Sequence, residues 1–189
     1  MAKNRICIDV ELGKIEQVLE ERFLSTMQNA IEEKNTDAKL KSFKMTRDVV
    51  GHSELEYKIY RFDPNHETIF PYFKSGKGLN KVCDYIIFVE NRSDFFVFLI
   101  EMKKGTESPF KQLCASECFV QFILESAKRI GVGLQKPLIV RKIGVTDNSV
   151  SSKKVTTFYK NFRFDKDGYM KIQGKSALRL MPLIEASIV

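Results

Sequence analysis

Between residues 10 and 34, Ile15, Val18, Leu19, Phe23, Met27, Ala30 and Ile31 recur at helical spacing, which predicts one amphipathic helix over 10–34. "ELEYKIYRF" (54–62) alternates as a strand does, and residues 64–80 read as a loop rich in Gly, Pro and Lys. "KVCDYIIFVENRSDFFVFLIEMKKG" (81–105) holds two apolar runs around a polar turn, which predicts a hairpin with strands near 83–90 and 95–103. Ser108 suits an N-cap and Pro109 a first helical position, for a helix running to Arg129 or Ile130 and ended by Gly131. "KPLIVRKIGV" (136–145) and "SKKVTTFYKNFRF" (152–164) predict strands, and "DKDGYMKIQ" predicts a turn leading into another. The elements follow the order αβββαβ, then a β-rich C-terminal extension. That is a mixed α/β domain, a mixed sheet flanked by helices, with residues 1–189 as one unit. The final "RLMPLIEASIV" is apolar and leaves three readings open: a terminal strand, a homodimer contact, or the edge of a larger protein.

The hairpin carries charge where buried strands should not. Asp84 stands near the start of its first run, and Glu101 and Lys103 stand at the end of the second. Side chains two apart in a strand share a face, so Glu101 and Lys103 project together. With "NRSD" (91–94) as the turn and Glu90 paired with Phe95, Asp84 lies opposite Glu101. Opposed carboxylates repel unless a cation or a proton lies between them. A hard divalent ion resolves the conflict, because carboxylate oxygens suit magnesium or manganese. The Lys103 ammonium beside that ion would polarise a water and stabilise charge on a phosphate. These parts suit phosphodiester hydrolysis.

"CDYIIF…FLIEMK" resembles the PD-(D/E)XK nuclease superfamily, whose signature is an acid, a spacer and (D/E)xK on the next strand. The resemblance covers residues 10–145, where the order αβββαβ also matches the restriction-endonuclease-like core. Cys83 stands where the family's proline would be; that proline is not a ligand. The resemblance implies Asp84 and Glu101 as metal ligands for magnesium or manganese and Lys103 as a catalytic residue. It also implies a ligand Glu on the first helix. At about 100° per residue from Ile15, Glu16 and Glu20 fall within the apolar arc and Glu21 outside it. Glu20 is the first choice and Glu16 the second. Gln112, nine residues after Lys103, matches a Gln that some members direct at the site. The implied activity is metal-dependent cleavage of DNA, in a setting such as restriction or anti-phage defence. RNA cleavage by the same site, or an inactive nucleic-acid-binding module on this fold, are the alternatives.

Composition bears on the partner. The chain has 31 Lys+Arg against 24 Asp+Glu, a net charge of +7, which permits a polyanion. Lys74, Lys77 and Lys81 crowd the loop before Asp84, and Lys104 and Lys111 extend the group into a rim for nucleic-acid phosphates. Phe70, Tyr72 and Phe73 lie in the same loop, as base-stacking or core residues. The four cysteines make no CxxC pair and the two histidines no zinc set, so reduced thiols and a cytoplasmic setting are expected. No apolar run reaches the length of a membrane span, so no membrane partner is expected.

Overall fold

A computed structural model describes residues 11–35, 43–62, 69–70, 72–74, 79–104, 108–146, 162–174 and 177–188. Its centre is the hairpin of β4 (Tyr85–Glu90) and β5 (Phe95–Lys103), paired antiparallel with Glu90 opposite Phe95 and Tyr85 opposite Ile100. This is the expected register. Both strands are buried on both faces, which is why their sequences read as continuous apolar runs rather than alternating ones. β3 (Glu56–Tyr60) pairs antiparallel with β4 on one side. On the other side, β6 (Leu138–Thr146) lies parallel to β5 and β7 (Tyr169–Gln173) parallel to β6. The resulting sheet order is β3-β4-β5-β6-β7.

A parallel β5–β6 pair needs a long crossover. α2 (Phe110–Arg129) supplies it. Pro109 stands at its N-cap, Ser108 Oγ accepts from the Phe110 N–H at 3.4 Å, and Gly131 follows its end at φ 83°. That positive φ favours glycine, so the helix stops where the sequence indicates.

Strand alternation divides the core into two clusters, one on each face of the sheet. Ile86, Phe88, Phe95, Val97 and Leu99 pack against α2 and against α1 (Glu11–Val18) through Leu12, Ile15, Leu113 and Val120. Tyr85, Ile87, Val89, Phe96, Phe98 and Ile100 face the opposite layer. That layer is a second sheet of β1 (Ala30–Asn35), β2 (Phe43–Val50) and the two-residue β8 (Leu178–Arg179), together with α3 (Leu180–Ile188). β1 and β2 are antiparallel and β2 and β8 parallel, so both sheets are mixed. Among the described residues no helix is long and apolar enough to cross a membrane.

Three expectations are corrected. The helix over 10–34 ends at Val18; a short 3-10 turn follows at Glu21–Phe23, and Ala30–Asn35 is a strand. Leu24 bridges Tyr60, Ser25 N–H donates to the Ile59 carbonyl at 2.8 Å, and Arg61 N–H donates to the Phe23 carbonyl at 2.8 Å. Pairing with the edge of β3 thus outweighs the helical periodicity. The extension has the strand expected after "DKDG" as β7, but its last described residues form α3, with Leu180, Leu183 and Ile184 buried against the sheet. Phe162–Phe164 lie outside any strand, and the rest of 152–161 lies outside the described residues.

Candidate active site

Asp84 and Glu101 meet at the open end of the β4–β5 hairpin, on the face that α2 covers. The Asp84 N–H donates to Glu101 Oε2 at 3.2 Å, and the Met102 N–H donates to Asp84 Oδ2 at 2.6 Å. Glu101 thus holds the Asp84 backbone, and Asp84 holds the backbone of Met102, the residue after Glu101. Glu101 is wholly buried. Its Oε1 is paired with the Lys103 ammonium, 2.5 Å away. Lys103 Nζ in turn lies 3.5 Å from Gln112 Oε1, and Gln112 Nε2 donates to the Val82 carbonyl at 2.7 Å. Asp84, Glu101, Lys103 and Gln112 thus form one continuous polar chain.

The start of α2 is locked to this place. Ser116 Oγ accepts from the Cys83 N–H at 2.6 Å and donates to the Gln112 carbonyl at 2.9 Å. Gly144 lies opposite Glu101 on β6. A Cβ there would come within 2.6 Å of Pro109 Cγ and 2.8 Å of Tyr169 Oη. The absent side chain is what lets the helix start approach the sheet. Spacing alone does not single out Ser116 or Gly144.

Burial pushes the Glu101 carboxyl up to about 7, with Lys103 pulling the other way. Burial first and the Glu101 charge second hold Asp84 well above the ordinary carboxylate range. Glu33 on β1 adds repulsion to both. It is drawn near because Tyr85 Oη, next to Asp84, accepts from the Glu32 N–H at 3.0 Å and donates to the Glu32 carbonyl at 2.7 Å. The expected third carboxylate is not among these neighbours. Glu20 is exposed beyond the end of α1, and Glu16 is exposed and paired with Lys58 at 2.7 Å. Glu20 loses its place on the helical wheel because the helix ends at Val18, whereas Glu16 stays on α1 and turns to solvent. Glu33 is hidden in the sequence because the helical pattern takes it in; the non-helical Ser25 and Thr26 are the available warning.

The donor set fits magnesium or manganese. Two carboxylates lie at the ends of neighbouring strands, with one Glu101 oxygen held by the Lys103 ammonium and the other by the Asp84 N–H. Among the described residues no three His, Cys, Asp or Glu close around a metal. Magnesium commonly binds one or two carboxylates and keeps water and substrate phosphate in its remaining positions.

Lys81, Lys104 and Lys111 are exposed and adjoin Val82, Lys103 and Gln112 in the chain. Lys74 is exposed on the preceding loop, and Lys77 lies outside the described residues. Cys83, Cys114 and Cys118 are free thiols. The chain matches no protein-family model, no curated protein and no solved structure.

Proposed function

We propose that this chain is a divalent-metal-dependent nuclease of the PD-(D/E)XK type, with the restriction-endonuclease-like core of that family, and that it hydrolyses DNA phosphodiester bonds. The observation that carries the reading is the Asp84–Glu101 pair, with the Asp84 N–H bonded to Glu101 and the Met102 N–H to Asp84, followed by Lys103 and Gln112 in one chain of contacts. A wholly buried Glu101 beside a half-buried Asp84 is costly for a purely structural strand end. They suit a cation site.

Asp84 and Glu101 would hold magnesium or manganese, which would supply charge stabilisation at the phosphate and a more acidic water. Lys103 holds positive charge beside Glu101 and would stabilise the developing charge on a phosphate oxygen. Gln112 fixes the Lys103 ammonium from the other side while its amide stays anchored on Val82. Lys81, Lys104 and Lys111 would line the approach of the strand, giving sequence-independent attraction.

The test is cleavage of plasmid and of labelled oligonucleotides with magnesium or manganese, beside thermal stabilisation by each ion. Asp84→Asn and Glu101→Gln should lose cleavage and ion-dependent stabilisation together. Full activity in either variant would remove the site from consideration. RNA tested in parallel decides between the two substrates. A parent that binds nucleic acid and cuts neither would be the inactive binding module.

A further inference from the structure

We propose that this site acts on unpaired nucleic-acid strands, whose bases stack on an aromatic platform made by Tyr72 and Phe73. The inference rests on the nuclease reading for its chemistry, and on a separate set of residues for its evidence. Tyr72 is 71 % exposed and Phe73 42 % exposed; among the described aromatics Phe122, at 63 %, is the other exposed ring, and it stands alone on α2. They are held out in an organised way. Their centroids are 4.8 Å apart, and both lean on Phe70, at 6.0 and 5.8 Å. Phe70 packs edge-on against Phe119 of α2 at 5.3 Å, and Phe119 packs on Phe62 at 4.9 Å. Two exposed rings thus stand on a buried aromatic footing.

The platform lies in line with the site. Phe119 is seven residues after Gln112 on α2. Seven residues bring a helix back to within about 20° of the same face and advance it by about 10 Å. The footing is therefore on the same face as Gln112, two turns along. Two hydrogen bonds connect the ring-bearing segment to the site. Asn80 Nδ2 donates to the Phe73 carbonyl at 3.5 Å, and Gln112 Nε2 holds the Val82 carbonyl two residues later. Charge follows the same route: Lys74 adjoins Phe73, Lys81 adjoins Asn80, and Lys111 adjoins Gln112, all three exposed.

Exposed rings beside lysines match a strand whose bases are free. In a duplex each base face is already covered by its neighbours, so a ring has nothing to stack on without unstacking first. An unpaired strand offers its π-faces and its phosphates together, and stacking on aromatics tolerates any base. The lysines would track the backbone while the rings hold bases beyond the Phe119 footing.

The experiment measures binding apart from cleavage. A fluorescein-labelled oligonucleotide, single-stranded or annealed to its complement, is titrated in chelator by anisotropy. The parent is expected to bind the single strand more tightly. Tyr72→Ala and Phe73→Ala should each weaken that binding roughly tenfold and leave duplex binding unchanged. Tyr72→Phe should bind as the parent does, because it keeps the ring. Both rings are exposed, so the variants should melt with the parent. Ring dependence is expected for a ribose strand as for a deoxyribose strand, since the contact is to the base. A Tyr72→Ala/Phe73→Ala double variant that binds the single strand like the parent would overturn the proposal, as would a parent that prefers the duplex. Cleavage with manganese is then scored on the same strands. Ring-dependent binding without any cleavage would remove the nuclease reading and leave the platform standing; cleavage confined to duplex would do the reverse.

Discussion

Replacing Glu101 by Gln should make the metal-free fold more stable at alkaline pH, by an amount the site's own geometry sets. Glu101 is fully buried, and its carboxyl is pushed from an ordinary 4.5 up to about 7, burial outweighing the Lys103 charge. A carboxyl raised in the fold contributes its stability below its unfolded pKa, and that contribution is lost as pH rises through the folded value. The window is therefore pH 4.5 to 7, in the direction opposite to ordinary acid denaturation. The shift corresponds to about 3 kcal/mol at 1.36 kcal/mol per unit. Asp84 is raised as well and adds with the same sign. Gln keeps an acceptor for the Asp84 N–H and removes the charge. In chelator, thermal melts of parent and Glu101→Gln should run close together near pH 4 and separate as pH rises. At about 2–4 °C per kcal/mol for a domain of this size, the variant should lead by about 6–12 °C at pH 8. Added manganese should narrow the gap by stabilising the parent alone. Parallel curves across the range would show that Glu101 carries no such burden, and the reasoning from burial would fail.

Lys103→Met should retain manganese binding by calorimetry while single-turnover cleavage falls on the order of 10²–10³-fold, the usual cost of one preorganised electrostatic group; parental cleavage would make Lys103 a bystander. Gly144→Ala should cost about 1–3 kcal/mol in denaturant unfolding and depress cleavage too, because the new Cβ meets the Pro109 ring at 2.6 Å and pushes the start of α2 off the sheet; a neutral effect would show that the helix start is free to shift. Reversing Lys74, Lys81 and Lys111 to Glu should flatten the dependence of log affinity on log salt by up to about 0.7–0.9 for each phosphate no longer neutralised, with little regard to sequence; an unchanged slope would move the binding face elsewhere.

How much is legible in the sequence depends on whether the determining contacts are local. The β4–β5 register is readable because one polar turn, Asn91–Asp94, fixes it and the apolar runs on either side are long. Asn91 Oδ1 accepts from the Ser93 and Asp94 N–H groups at 2.9 and 2.7 Å, the kind of local closure that Asn favours in turns. The limits of α2 are readable for the same reason, through Pro109 and Gly131. Residues 19–35 are not, because their pattern is compatible with a helix and only contact with β3 and with Tyr85 makes them extended. β2 is hidden with them: its partners are β1, its neighbour in that ambiguous stretch, and β8, more than a hundred residues away.

The same distinction explains the candidate site. Asp84, Glu101, Lys103 and Gln112 belong to consecutive elements joined by short connections, so strand parity and helix spacing bring them together from sequence alone. The acidic neighbour Glu33 belongs to the other layer and arrives through one hydroxyl, Tyr85 Oη, clasping the Glu32 backbone. That clasp puts a third negative charge near a pair that has Lys103 at one end, and Arg61 Nη2 lies 3.9 Å from the Glu33 carboxylate. Packing by itself gives no reason to gather acids there, since each one raises the free energy of its neighbours. A cation at the pair would add an attraction to each carboxylate that outweighs their mutual repulsion. The arrangement is coherent if the fold is built around an ion that the sheet end receives, and the cost then falls on the metal-free state, where the pH-dependent melts would read it.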